Sequence, residues 1–110
     1  MGLITTGPGS SRFTGKVVFD FKPFCQSFVV QTERGFVLLE WEDGTLFFDE
    51  GDSLVGPLHT TGLQSLNVEG RRAMTARFET WVPDLAAAQQ VFRDRCRLAP
   101  GTPLAGAVRN

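Results

Sequence analysis

Alternation of apolar and polar positions dominates the first two thirds of the chain. From Lys16 to Phe21, the residues Val17, Phe19 and Phe21 alternate with polar neighbours, which predicts a half-buried strand with those three side chains on one face. Pro23 ends it, because proline cannot donate to a ladder. Two further strands are predicted over Ser27 to Thr32 and Phe36 to Trp41, joined at Glu33-Arg34-Gly35. The second is apolar on both faces, Phe36 and Leu38 against Val37, Leu39 and Trp41, as expected of a central strand covered on both sides. Asp43-Gly44 is a hairpin signal, so Thr45 to Phe48 is predicted to return as a fourth strand of a meander.

Beyond this the pattern weakens and then recovers. Gly51 to Gly62 reads as a long connection with room for a short strand, and Leu66 and Val68 suggest a brief one. Arg72 to Val82 alternates again, with Met74, Ala76, Phe78 and Val82 on one face. Period two then gives way to a helical period. After Val82-Pro83, Asp84 is placed as an N-cap, and Leu85, Ala88, Phe92, Cys96 and Ala99 recur on one helical face up to Pro100-Gly101.

These elements predict a mainly β fold: a small antiparallel meander barrel or sandwich of six to seven strands. One C-terminal amphipathic helix plugs an end or packs on an open face. Residues 1–14, rich in Gly, Ser and Thr, read as a flexible arm, 15–99 as a single domain with its helix over 84–99, and 100–110 as a tail. The order is similar to that of the pleckstrin-homology superfold. A PilZ-like barrel also ends in a helix, but its arginine pair and Asp-x-Ser-x-x-Gly signature are absent here.

Composition changes this picture little. The chain has 110 residues and a formal charge of −1, so it is one domain and not a basic coat for nucleic acid. Ten Phe and no Tyr point to aromatic mass used for packing. No apolar run approaches a membrane span, and no secretory leader is visible. Cys25 and Cys96 stand in no metal-ligand or CxxC pattern and are expected to be reduced thiols of a cytoplasmic protein.

The candidate chemistry is sparse. His59, the only histidine, is a weak candidate polar site in a loop. No nucleophile elbow or phosphate loop appears, so no catalytic residue, metal or cofactor is assigned and the protein is expected not to be an enzyme. Charge is segregated instead. Glu40, Glu42, Asp43, Asp49, Glu50 and Asp52 have no Lys or Arg between them, and are expected to crowd one end of the predicted hairpin. Arg71, Arg72, Arg77, Arg93, Arg95 and Arg97 make the C-terminal part basic, although Arg93 and Arg97 lie across the helix from Arg95.

The candidate interaction surface therefore comprises Arg71, Arg72, Arg93, Arg97, Glu42, Asp43, Asp49, Glu50 and Asp52. The expected function is a non-catalytic protein-binding or self-assembly module, with a protein partner or a second copy as occupant. One alternative is a carrier of a small apolar ligand, with Phe19, Phe21, Phe28, Phe36, Phe47 and Phe78 lining a cavity. The other is a nucleic-acid accessory protein using the helix-end arginines, whose binding would fall steeply with salt.

Overall fold

The computed structural model describes residues 12–21, 24–42, 48–70, 72–99 and 101–104. Six strands are present: β1 (Phe13–Asp20), β2 (Ser27–Thr32), β3 (Gly35–Trp41), β4 (Ser53–Gly56), β5 (Gly62–Val68) and β6 (Arg72–Val82). They close into an antiparallel barrel in the order β1-β2-β3-β6-β5-β4. The architecture is thus two three-stranded meanders, β1-β2-β3 and β4-β5-β6, joined edge to edge. Closure comes from two long-range pairings, Phe13 to Gly56 between β1 and β4, and Phe36 to Val82 between β3 and β6. A closed barrel leaves no unpaired edge.

One predicted strand is displaced by this topology. Both edges of β3 are taken, by β2 and by β6, so no returning strand can pair along it. Residues 43–47 of the predicted hairpin lie outside the described residues, and Phe48 is buried between strands with its ring 4.5 Å from that of Phe28. The connection after Gly51 does contain a short strand, β4, and the brief strand around Leu66 is the seven-residue β5.

Among the described residues one helix, α1 (Leu85–Cys96), follows β6. Asp84 caps it as the sequence predicts, its carboxylate accepting from the Ala87 N–H at 2.8 Å. The helix ends at Cys96, short of the predicted proline stop, because Arg97 adopts a left-handed conformation with φ 56°. Arg97 N–H and Leu98 N–H then donate back to the carbonyls of Asp94 and Arg93. No helix among the described residues is long and apolar enough to cross a membrane.

Two cores share one sheet. The barrel interior holds Val17, Phe28, Val30, Val37, Leu39 and Met74 among others, and Leu58 of the β4–β5 loop closes it. The second core lies outside the barrel, where Ala88 and Phe92 of α1 press onto Phe19, Val29, Phe36 and Leu38. The helix therefore covers the outer face of β1-β2-β3 and does not plug an end. That explains why β3 is apolar on both faces: Val37 and Leu39 point into the barrel, Phe36 and Leu38 toward the helix. Leu104, assigned to the tail by sequence, is also buried in this second core, between helix and sheet.

Two bulges correct the predicted faces. The β1–β2 register shifts between Val17 and Phe19. Val17 consequently faces the barrel interior while Phe19 faces the helix, although strict alternation places both on one side. A second shift places Phe78 opposite Leu39 but Thr80 opposite Leu38, leaving Glu79 as the extra residue. Met74 and Ala76 therefore point inward, whereas Val82 joins the helix side.

The cysteines are the largest departure from expectation. Cys25 and Cys96 form a disulfide, with Cα atoms 5.5 Å apart across a sequence separation of 71 residues. They are not reduced thiols. The sequence separation hid this pairing, because only the packing of α1 on the β1-β2-β3 face brings the helix end beside the β1–β2 loop.

Candidate functional site

The two rims of the barrel divide the remaining polar chemistry. One rim carries the acidic segment, and two of its carboxylates, Glu50 and Asp52, are used to hold loop backbone. Asp52 accepts from the Asp49 N–H at 2.9 Å, and Asp52 N–H returns a bond to the Asp49 carbonyl at 3.0 Å. Glu50 accepts from the Asp20 N–H at 3.1 Å. Glu42 pairs with Arg77 at 3.4 Å, on largely exposed side chains. Asp43 lies outside the described residues. Among the described residues no group of three or more His, Cys, Asp or Glu is placed to hold a metal.

The arginines do not converge. Arg93 donates to the Thr102 carbonyl at 2.7 Å, fastening the C-terminal segment to the helix. Arg95 pairs with Glu79 at 2.7 Å, and Arg97 serves as the helix C-cap. Arg72 is exposed at the start of β6 opposite Val68, and Arg71 lies outside the described residues. The phenylalanines proposed to line one cavity are also divided. Phe28 and Phe78 belong to the barrel interior, Phe19, Phe21 and Phe36 to the second core, and Phe47 is not described. A barrel of this size is filled by its own side chains.

The opposite rim, where the β2–β3 turn, the β4–β5 loop and the end of β6 meet, is built differently. Thr32, the last residue of β2, is buried, and its Oγ1 lies 2.8 Å from His59 Nε2. The Arg34 N–H donates to the same hydroxyl at 3.0 Å, which leaves the hydroxyl proton for a neutral imidazole. Phe13 meets the His59 ring edge-on with centroids 4.6 Å apart, and the Arg34 guanidinium lies 5.5 Å from the Phe13 centroid. Burial, and then the Arg34 charge, hold the His59 imidazole below the usual histidine range.

Trp81 completes this rim. Its indole N–H donates to the Arg34 carbonyl at 2.9 Å, yet 45% of the residue remains exposed. Gly35 makes that contact possible: a Cβ there would stand 2.9 Å from the indole nitrogen and 2.8 Å from the Val82 carbonyl oxygen. Four residues on, Leu85 at the start of α1 is 41% exposed. Sequence reading singled out His59 but neither Trp81 nor Thr32. A Trp in an alternating strand gives no sign that a bulge will turn it to the rim.

Compared with protein-family models, curated proteins and solved structures, the chain matches none.

Proposed function

We propose that this domain is a non-catalytic protein-binding module whose anchor is the Trp81 rim. The observation that carries the reading is the state of Trp81: half-exposed, but held in one orientation by its bond to the Arg34 carbonyl. A rigid aromatic with a free face binds without losing rotamer freedom, and Trp and Arg are the residue types most enriched at energetic centres of interfaces. Arg34 adds a cation to the same rim, over Phe13, and Leu85 is a second exposed apolar side chain four residues on. The expected acidic-and-basic surface is the weaker support, since Arg93, Glu42, Glu50 and Asp52 are engaged in internal bonds.

A second copy of the chain is the first occupant to test. Sedimentation equilibrium on wild type and Trp81→Ala should show concentration-dependent association that the variant loses by tenfold or more in Kd, roughly what removal of an interface centre costs. If the wild type stays monomeric, photocrosslinking from position 85 should capture a protein partner that Trp81→Ala no longer captures. Association or capture unchanged by Trp81→Ala would sink the reading. Binding of an oligonucleotide that weakens steeply with salt would instead favour the nucleic-acid alternative.

A further inference from the structure

The two cores are held together in different ways. No residue of α1 belongs to the barrel interior, which the strands fill together with Phe48 and Leu58. The helix serves only the outer face, through Ala88, Phe92 and partly buried Val91 and Cys96. Twelve residues are too few for a helix to persist alone in water. Its N-terminal end is tied to β6 by the short link through Pro83 and Asp84. Its C-terminal end is tied by Cys96 to Cys25, in the turn where the Phe24 and Cys25 N–H groups donate to the Phe21 carbonyl at 2.9 and 3.2 Å. Both cysteines are partly exposed residues at the periphery of the second core.

We propose that the second core is closed by an oxidative step, supplied by a thiol–disulfide carrier in an oxidising compartment. One of the two cysteine thiolates attacks the carrier disulfide, forming a mixed disulfide and releasing one carrier thiol. The other cysteine then attacks the chain's own sulfur in that mixed disulfide and expels the second carrier thiol. Two cysteine thiols are oxidised, one carrier disulfide is reduced, and two protons pass from the chain's thiols to the carrier's. The cytoplasmic setting expected from sequence is replaced by one where such bonds persist. This inference does not depend on the Trp81 reading.

The experiment has two arms, both on the full chain. In the cells that make the protein, acid quenching and alkylation should leave Cys25 and Cys96 unlabelled until dithiothreitol is added. Labelling of both in the folded chain would overturn the proposal. Hydrogen exchange is then compared between the oxidised protein, the same protein reduced, and the Cys25→Ser/Cys96→Ser variant. Opening the bond should cost the amides of 85–96 about tenfold or more in protection while those of β4, β5 and β6 keep theirs. Helix amides that stay protected would show that the bond does not close the second core. Barrel amides that fall together with the helix would overturn the separation of the two cores.

Discussion

Gly15 stands where β1, β2 and the β4–β5 loop approach most closely. A Cβ there would overlap Val30 Cγ1 and lie 3.1 Å from both the Gln31 carbonyl oxygen and Leu58 Cδ1. The severe overlap is with a buried, β-branched side chain that has little rotamer freedom, so the strand pair must shift to relieve it. Gly15→Ala is expected to destabilise by about 1–3 kcal/mol, read as a lower urea midpoint at unchanged m-value. His59 makes the other residue-scale case. Its folded pKa lies below the ordinary 6.5, from burial first and Arg34 second. Above pH 6.5 the imidazole is neutral in both states and contributes no pH dependence. As pH falls from 6.5 through the folded pKa, the unfolded chain binds the proton first and stability drops. Urea midpoints at pH 7.5, 6.5 and 5.5 should show that drop, and His59→Gln should flatten it. An imidazole pKa above 6.5 by NMR titration would refute the assignment.

At the scale of elements, the second core depends on one side chain more than any other. Phe92 is buried, stacked against Phe19 with ring centroids 5.6 Å apart, and it is the only buried aromatic of α1. Phe92→Ala should cost about 3–5 kcal/mol, with the loss of protection concentrated in the helix and in residues 101–104. Reducing the Cys25–Cys96 bond acts on the same element through the unfolded chain. Loop-closure entropy for a loop of this size corresponds to about 4 kcal/mol, an upper figure for the drop in unfolding free energy. The elements themselves were largely legible in the sequence. Ser27–Thr32 and Arg72–Val82 have the predicted boundaries, and Asp84 is the predicted cap. What alternation could not carry was partnership. Asp43-Gly44 suggested a local hairpin for β3, but its edge is taken by β6. Bulges at Val18 and Glu79 inverted the predicted faces of Phe19 and Val82, because a bulge leaves no mark in a hydrophobic pattern. The candidate site was less legible still: His59 was visible as a lone histidine, whereas its contacts with Thr32, Phe13 and Arg34 exist only once the barrel closes.

For the whole molecule, closure of the barrel is the step that local signals do not assist. Each meander can form from neighbouring strands, but β3 must find β6 and β1 must find β4 before any edge is satisfied. Such non-local pairing places folding in the range of about milliseconds to seconds. The disulfide changes the path length for one of the two closures. With Cys25 already joined to Cys96, the route from Phe36 to Val82 runs through the cross-link and is shorter than along the chain. Less entropy is then lost in bringing β3 to β6. Denatured protein with its disulfide intact should therefore refold faster than the reduced chain, by a factor of roughly two to three on loop-closure arithmetic. Stopped-flow fluorescence can follow this, since Trp41 pairs with Ala76 across that junction and Trp81 with Val37. Equal refolding rates would mean that β3 meets β6 only after the rate-limiting step, with the β1–β4 closure then setting the speed.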